Sequence, residues 1–376
     1  MIPTPRSQPL AGHLGRWGTA PLALLEEGAA LGPLFSIRLW RRAVIGYRPD
    51  WNRLVLGDLQ TFRSKGSLSG LSPYLAGGVV QADPPTHRAR RAALNPSFHR
   101  RAVAGLEPAL AAVVDARLPT GEFDAAEWSS ALTRELLVSA FFGGSFPRAL
   151  LADFLHPLDT RPPGPFVRRP LLFARMNRAL ATALADAKPG TLAEAFVGVG
   201  GSERGAVEEA RVALGAAYDT TAHTMAFLLW HLASNPSWAG PDQIANLVAE
   251  TLRLYPAGWL GSRRADRDVD VDGESIAAGT LVLYSPYLTH RDATLWPEPL
   301  RFRPERFDEP LPAWGYLPFA AGERTCLGAN LAQLILRTVG AAFADGLVRA
   351  DPDGGDPPPL RAGLTLGPAA PLRLRR

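Results

Sequence analysis

Apolar positions recur at helical spacing along most of the chain. Side chains three or four residues apart lie on one face of a helix, so this spacing predicts amphipathic helices. The segment 204–234 is unusually long and apolar on most sides, which predicts a helix buried through the middle of the fold. The predicted helices cover residues 21–31, 84–98, 101–117, 125–142, 147–157, 169–187, 204–234, 240–254 and 328–343.

Alternation with a period of two residues is confined to short stretches, which predict strands. The stretch 269–284 is predicted to form one small hairpin sheet around the turn Asp272-Gly273. Further strands are predicted over 34–39 and 43–47, with a short β element near 364–366. Helices dominate, so the predicted fold is mainly α with a minor β-sheet region. No repeat or linker divides the chain, and a single domain over residues 1–376 is expected.

Composition excludes several classes of protein. Of the 376 residues, 47% are hydrophobic and 20% are charged, which excludes a disordered chain. No run approaches the roughly 18 apolar residues of a membrane-spanning helix. The first residues lack the layout of a secretory signal, so a cytoplasmic location is expected.

The net charge of +4 comes mainly from arginine, since Lys65 and Lys188 are the only lysines. The arginines are interleaved with acidic residues rather than gathered in a basic block. Nucleic acid is therefore not expected as a partner, whereas a basic face that binds an acidic protein is compatible with the pattern.

The single cysteine, Cys326, excludes an intramolecular disulfide framework and a multi-cysteine zinc site. It follows Phe319 and Arg324, lies between Gly322 and Gly328, and comes just before the last predicted helix. The sulfur is expected at a helix N-terminus, where free N–H groups and the positive dipole end favour a thiolate. The glycines would let the backbone turn tightly and approach a flat ligand. Such a thiolate suits an axial ligand of a haem iron, and the alternative is a buried structural cysteine.

The pattern Phe-x-x-Gly-x-Arg-x-Cys-x-Gly over residues 319–328 resembles the haem-binding loop of the cytochrome P450 family. The resemblance implies the cytochrome P450 fold and heme b (iron protoporphyrin IX), with Cys326 as the metal ligand. Phe319, Gly322, Arg324 and Gly328 would then contact the cofactor. The activity it implies is insertion of one oxygen atom from O2 into a substrate. A non-catalytic haem-binding sensor is the alternative.

Glu250 and Arg253 are three residues apart, so they share a helix face and can pair. In the family that this chain resembles, a Glu-x-x-Arg upstream of the cysteine loop pairs with a second arginine. Arg306, within Pro304-Glu305-Arg306-Phe307, matches that second arginine. The resemblance therefore implies a buried structural triad of Glu250, Arg253 and Arg306 behind the haem.

His87 and Arg91 are four residues apart and share a helix face. The resemblance implies that they bind a haem propionate, whereas a solvated basic helix is the alternative. Arg263 lies where the family places another propionate-binding arginine, and Arg264 is the less favoured choice. Arg324 is the fourth candidate cation.

The long predicted helix carries Asp219 followed by Thr220. In the family, an acid and an alcohol in this place lie beside the sixth position of the iron. Asp219 would relay protons from solvent, and Thr220 would hydrogen-bond bound dioxygen or its hydroperoxide. The alternative for Thr220 is a hydroxyl bonded back to a helix carbonyl. Ala217 stands where the family usually has glycine.

An intact acid–alcohol pair favours dioxygen with two electrons from a separate redox protein over direct use of peroxide. The expected partners are an external ferredoxin or flavodoxin with its reductase, docked on the basic face near Cys326. The protein itself is expected to be a monomer.

The segments that set specificity in this family are mostly apolar here, which favours a large, neutral, apolar substrate. Residues 252–259 and 285–287 resemble bacterial carotenoid ring hydroxylases, so a carotenoid or terpenoid is expected first and a fatty acid next. The run 166–173 mixes apolar and basic residues, which is typical of an entrance touching the membrane surface, or of an ordinary core helix end. The expected substrate contacts are Leu68, Leu71, Tyr74, Leu75, Phe166, Leu172, Phe173, Trp259, Leu260, Leu364 and Leu366.

Overall fold

A computed structural model describes residues 2–240, 242–271, 273–344, 346–350 and 358–376. Its helices α1 to α15 are Leu14–Thr19, Pro21–Leu31, Pro49–Gly57, Gly78–Gln81, Thr86–Phe98, Arg100–Ala104, Glu107–Asp115, Ala125–Phe142, Arg148–Asp159, Pro170–Ala185, Leu192–Phe196, Glu203–Ser234, Ile244–Leu254, Pro286–Thr289 and Ala329–Ala342. Its strands β1 to β12 are Leu34–Arg38, Arg42–Gly46, Phe62–Arg63, Glu122–Asp124, Gly261–Ala265, Val269–Val271, Glu274–Ile276, Leu281–Tyr284, Val348–Arg349, Leu360–Ala362, Leu366–Pro368 and Arg373–Arg375.

The 32-residue helix α12 is the axis of the fold, and it packs against α8, α10, α13 and α15. Its start is capped by Ser202, whose side chain accepts a hydrogen bond from the N–H of Gly205. It ends at Ser234, before Asn235-Pro236, because proline disfavours a helical conformation at the preceding residue. From Tyr218 to Ala233 nearly every side chain is buried, which confirms the predicted central helix.

The largest sheet has five strands in the order β1-β2-β8-β5-β3. Strand β8 pairs in parallel with β2 and antiparallel with β5, and all four of its residues are buried. The predicted single hairpin sheet over 269–284 is therefore wrong at its end. Strands β6 and β7 form a hairpin alone, since the fully apolar run Leu281–Tyr284 suits a central strand. Asp272, in the predicted turn, lies outside the described residues.

Two further predictions need correction. The predicted helix 101–117 is two helices, α6 and α7, separated by Gly105 and Leu106. The β element expected near 364–366 is mostly the turn of a hairpin, in which β10 pairs antiparallel with β11. This hairpin packs β11 against α12, and that contact brings the end of the chain to the middle of the fold.

None of the described helices is both long and apolar enough to cross a bilayer. The mainly helical prediction is confirmed, and most predicted helices agree with the observed ones to within a few residues.

His231 on α12 and His290 after α14 are buried histidines that bear on stability. His231 stacks on Phe302, with ring centroids 3.7 Å apart, and its Nε2 lies 2.8 Å from the Tyr255 hydroxyl. Burial, assisted by the charge of Arg349, lowers the pKa of His231 from 6.5 to about 3. Burial likewise lowers the pKa of His290 to about 3.

A neutral buried histidine makes stability fall on acidification. Below about pH 6.5, His231 takes up a proton in the unfolded chain but stays neutral in the folded protein. The free energy of unfolding therefore falls by about 1.4 kcal/mol per pH unit. The His231→Phe variant keeps the ring stack but does not titrate. We expect the free energy of unfolding of His231→Phe, measured in urea, to fall by about 2 kcal/mol less than that of wild type between pH 7 and pH 5. The exposed His156, changed to Gln, is the control; identical pH slopes for His231→Phe and wild type would contradict the buried neutral state.

Candidate active site

A cavity of about 550 Å³ lies between α12, α5, the loop 319–328 and the turn of the β10–β11 hairpin. Its wall is mainly apolar, and Cys326, Thr220 and several cationic side chains are the chemically active groups that reach it. Seven of the expected substrate contacts line it: Leu68, Leu71, Leu75, Phe166, Trp259, Leu260 and Leu364.

Four residues that were expected in this wall do not line it: Tyr74 and Leu366 lie in the core, and Leu172 and Phe173 are partly buried against it. Tyr74 and Phe173 pack on Phe154, with each pair of ring centroids 5.1 to 5.2 Å apart. Aromatic rings pack favourably against one another in the core. These side chains therefore lie behind the residues that line the cavity.

The cysteine loop is closed by a hydrogen bond of 2.8 Å from the N–H of Cys326 to the carbonyl of Phe319. Gly322 has a φ of +64°, and this is the one tight turn for which the loop requires a glycine. Gly328 has a φ of −83°, so its predicted role in a tight turn is wrong. A Cβ at Gly328 would meet no protein atom within 4 Å, although Gly328 lines the cavity. The space over it therefore accommodates a flat ligand.

Cys326 is exposed, and the surface that it exposes faces the cavity. Helix α15 begins at Ala329 with Gly328 as its N-cap, so the sulfur lies just ahead of the helix start. Desolvation by the surrounding protein atoms raises the pKa of the Cys326 thiol. The N–H of Gly328 and the charge of Arg91 act in the opposite direction and favour the thiolate. Binding to a metal ion supplies what deprotonation needs.

The four candidate cations line the same cavity: His87, Arg91, Arg263 and Arg324. Burial and the charges of the three arginines lower the pKa of His87 to about 4. Three buried nitrogens in this group have no hydrogen-bond partner, namely His87 Nδ1, Arg263 Nε and Arg324 Nε. Arg264, the less favoured alternative, does not line the cavity. Unpartnered donors next to concentrated positive charge are the arrangement that carboxylates would complete.

These features together fit a haem. A lone sulfur stands at one wall, the open space over Gly328 takes a flat ring, and the cationic edge takes two propionates. Arg91 is held for this position, because its Nη1 donates a hydrogen bond of 2.9 Å to the Thr325 carbonyl in the cysteine loop.

Glu250, Arg253 and Arg306 meet behind the cysteine loop. Both Glu250 and Arg253 are fully buried, and their side chains are joined by hydrogen bonds of 2.6 and 2.8 Å. The Nε of Arg306 donates to the same carboxylate at 3.1 Å, and the N–H of Arg303 donates to it at 2.7 Å. Glu250 thus accepts four hydrogen bonds, which compensate the cost of burying its charge.

His290 was not singled out by the sequence, but it connects this cluster to the cysteine loop. One ring nitrogen, Nδ1, lies 2.9 Å from the carbonyl of Arg253, and Nε2 accepts a hydrogen bond of 2.8 Å from the N–H of Leu317. Leu317 precedes the loop by two residues. The sequence His290-Arg291-Asp292 matches no motif with a known role. The contact of His290 with the two segments is therefore visible only in the folded structure.

On the α12 side of the cavity, the structure separates Asp219 from Thr220. The Thr220 hydroxyl lines the cavity and donates a hydrogen bond of 2.8 Å to the carbonyl of Ala216, which is the back-bonded alternative. Asp219 does not line the cavity; its carboxylate accepts a hydrogen bond from Thr365 and lies 3.4 Å from His223. Successive helix residues point about 100° apart, so neighbours in sequence face different surroundings.

Glu209 is a second residue that the sequence did not indicate. It is buried, lines the cavity, and pairs with Arg90 at 2.6 Å. Its other oxygen accepts a hydrogen bond of 2.9 Å from the N–H of Val79. Burial raises the pKa of Glu209. The charged group that lies deep in the substrate region is therefore an acid, and an acid does not anchor an anionic substrate.

The model of the family Cytochrome P450 matches residues 244–343, which include the Glu250 cluster and the cysteine loop. Two relatives from Streptomyces melanosporofaciens are each 25% identical to this chain. Cyclooctat-9-en-7-ol 5-monooxygenase aligns over 90% of this chain and 88% of its own length, and cyclooctatin synthase over 97% and 93%.

Among solved structures, retinoic acid bound cyanobacterial CYP120A1 superimposes with a TM-score of 0.84. The alignment covers 100% of this chain and 99% of that one, with 19% sequence identity, so it shows a shared fold.

The Glu250 cluster leads to a direct prediction. Glu250→Gln keeps the shape of the side chain but leaves Arg253 buried without a counter-charge, which costs about 3–5 kcal/mol. We expect a lower unfolding midpoint in urea and faster loss of haem to an acceptor apoprotein. Glu298→Gln is the matched control, because Glu298 pairs with Arg301 on the exposed face of the neighbouring segment and its loss costs about 0–1 kcal/mol. Equal stability and haem loss in the two variants would contradict a supporting role for the cluster.

Proposed function

We propose that the substrate of this chain, a haem-dependent monooxygenase of the cytochrome P450 family, is a large apolar molecule. A terpenoid or carotenoid is the first candidate and a fatty acid the second. The observation that carries this proposal is the mainly apolar cavity next to Cys326, in which the buried Glu209 is paired with Arg90.

We assign Cys326 as the thiolate ligand and His87, Arg91, Arg263 and Arg324 as the groups that hold the two propionates. When bound there, thiolate-ligated haem supplies the iron chemistry that cleaves the O–O bond of dioxygen. The cations fix the orientation of the ring, because charge-assisted hydrogen bonds to carboxylates are strong and directional.

We assign Thr220 and Asp219 to the oxygen side of the same reaction. The Thr220 hydroxyl donates a hydrogen bond to the carbonyl of Ala216, so its oxygen is left able to accept a hydrogen bond from a group in the cavity. Asp219, the preceding residue on the helix, lies outside the cavity wall and would pass protons from solvent to this side of the site. A proton supply beside an apolar chamber that excludes bulk water is what oxygen activation requires.

The substrate proposal is supported by the cavity wall and by the relatives. The names of two relatives refer to cyclooctat-9-en-7-ol and cyclooctatin, and the solved relative holds retinoic acid. Glu209 and Arg90 pair with each other, so neither offers an unpaired counter-charge to a carboxylate substrate, whereas a neutral isoprenoid needs none.

Retinol and retinoic acid test this proposal as a matched pair, since they share a skeleton and differ in charge. We expect retinol to shift the haem absorption spectrum at about tenfold lower concentration than retinoic acid, because Glu209 already occupies Arg90 and leaves the acid without that counter-charge. Glu209→Gln should reduce that preference by freeing Arg90, and Glu194→Gln, at an exposed residue of α11, should not. Palmitic acid and cyclooctat-9-en-7-ol extend the series. Tighter binding of both carboxylic acids than of both alcohols would contradict the proposal.

We propose an external ferredoxin or flavodoxin, with its reductase, as the electron donor. Arg88, Arg100 and Arg101 are exposed on α5 and α6, and α6 packs on α15, the helix that follows Cys326. Exposed positive charges steer an acidic partner to this face. The monomeric state predicted from the sequence stays part of this proposal.

We also propose that the cavity mouth touches a membrane surface to collect substrate. Trp40, Leu71 and Phe166 line the cavity, yet each exposes more than a third of its surface, and Leu171 nearby is 83% exposed. Arg168 and Arg169 lie beside Phe166 in the sequence, a mixture suited to the interface between anionic lipid head groups and acyl chains.

The axial assignment is tested by Cys326→Ser. Serine is close in size to cysteine, so a packing role would tolerate the change with a modest loss of stability. As a ligand, serine donates electron density poorly, so we expect the thiolate-type absorption band of the reduced carbon monoxide complex to disappear together with oxygenation. Thr325→Ser, in the neighbouring position, is the control. A Cys326→Ser spectrum that matches wild type would overturn the assignment.

A further inference from the structure

Asp219 is held by two buried side chains that come from distant parts of the chain. The Thr365 hydroxyl donates a hydrogen bond of 2.5 Å to Asp219 Oδ2 and lies 2.9 Å from His223 Nδ1. His223 Nε2 lies 3.4 Å from the second oxygen of the carboxylate, Oδ1, which has no hydrogen-bond partner. All three side chains are more than nine-tenths buried.

The proton count of this group fixes the tautomer of His223. The Thr365 hydroxyl has one proton, and that proton goes to Asp219. The short contact with His223 Nδ1 therefore requires Nδ1–H to donate and Thr365 to accept. In the neutral ring, Nε2 is then an unprotonated acceptor that faces Asp219 Oδ1. A proton held by either atom lies between the two.

The imidazole ring of His223 packs directly against Gly367. A Cβ at this position would lie 2.5 Å from Cε1 and 2.6 Å from Nδ1 of His223, closer than real contacts allow. The φ of Gly367 is not in the left-handed region, so the glycine is required by the ring rather than by the backbone. The hairpin that supplies Thr365 is thus shaped around His223.

A second carboxylate, that of Asp159, lies near Asp219 and disfavours its present position. Asp159, at the end of α9, lies close enough for the charge of Asp219 to add to the burial that raises the Asp159 pKa. Asp159 is itself fixed by the Tyr218 hydroxyl, which donates to its oxygens at 2.9 and 3.0 Å. Whenever Asp219 is deprotonated, its carboxylate is repelled by that of Asp159 in this poorly hydrated region, so the orientation of Asp219 depends on the groups that hold it.

We propose that Thr365 and His223 are positioning residues that fix the Asp219 carboxylate beside Thr220 and keep a proton available at Asp219 Oδ1. The inference rests on the proton-supplying role assigned to Asp219 above. No bond other than that to the proton changes: the proton leaves Asp219 Oδ1 for the cavity, and solvent replaces it.

The test compares Thr365→Val, which keeps the shape and removes the hydroxyl, with Thr365→Ser, which keeps the hydroxyl. His223→Phe keeps a ring against Gly367 and removes both nitrogens. Asp219→Asn reports on the proposed function itself. Each haem-loaded protein receives electrons from a plant-type ferredoxin and its NADPH reductase, with retinol in the cavity. The measurements are peroxide released per NADPH and the ratio of NADPH consumption in H2O and D2O.

For Thr365→Val and His223→Phe we expect about tenfold more peroxide per NADPH, the factor that a hydrogen bond to a charged group is worth, and an altered solvent isotope ratio. Their ferric spectra and retinol affinities should match wild type. Thr365→Ser should restore both measurements, which a merely structural role does not require. Wild-type values in Thr365→Val and His223→Phe, with altered values in Asp219→Asn, would overturn the positioning role alone. Wild-type values in Asp219→Asn would overturn the proposed role of Asp219.

The tautomer provides a readout independent of turnover. With histidine labelled by 15N, the signal missing from His223→Phe identifies His223 in the reduced carbon monoxide complex. We expect a protonated Nδ1 in wild type and in Thr365→Ser, and a changed Nδ1 shift in Thr365→Val. An unprotonated Nδ1 in wild type would overturn the proposal, because Thr365 would then have to donate to His223 instead of Asp219. If Thr365→Val does not fold, this measurement and His223→Phe decide the question.

Discussion

The buried carboxylate of Glu250 is the interaction on which the rest of the site depends. All five N–H groups of Arg253 are used: three go to backbone carbonyls in the segment 290–301 and two go to Glu250. A segment with little regular structure is thereby fixed by one side chain from α13. His290 bonds to the carbonyl of Arg253 and to the N–H of Leu317, so it connects this cluster to the cysteine loop. These contacts fix the position of the loop, which has little regular secondary structure. Removing the charge from Glu250 would leave two arginines buried without compensation, which explains why the cluster is fully hydrogen-bonded.

Successive residues of helix α12 face two different environments, because they point about 100° apart around the helix axis. Thr220 faces an apolar chamber, whereas Asp219, one position earlier, faces a buried polar group built from the C-terminal hairpin. A charge in the chamber wall at this level would be costly and would attract water. The acid is instead turned away from the chamber wall and hydrogen-bonded to Thr365, one residue from Thr220.

The local parts of this site could be predicted from the sequence, and the long-range parts could not. The residues of the cysteine loop lie within ten positions, and Glu250 and Arg253 within one helical turn, so spacing alone indicated which side chains meet. Thr365 lies 146 residues from Asp219 and 142 from His223, and no local pattern connects such positions. Glu209 was missed for a similar reason, since its partner Arg90 comes from a different helix. Tyr74 and Phe173 were placed wrongly because an apolar side chain near a cavity carries no mark that separates wall from core.

The turn of the β10–β11 hairpin has two faces. Leu364 and Gly363 line the substrate cavity, and the next residue, Thr365, reaches Asp219. The turn is anchored at both ends, by Trp259 Nε1 to the Gly363 carbonyl and by the N–H of Leu366 to the carbonyl of Ala257. A backbone this short and this constrained cannot move one face without moving the other. For protein engineering, the proposed role of Thr365 implies that substitutions at 363–364 chosen to admit a new substrate also change the fraction of electrons lost to peroxide. Selection for a new specificity at this turn therefore has to screen for peroxide release together with product.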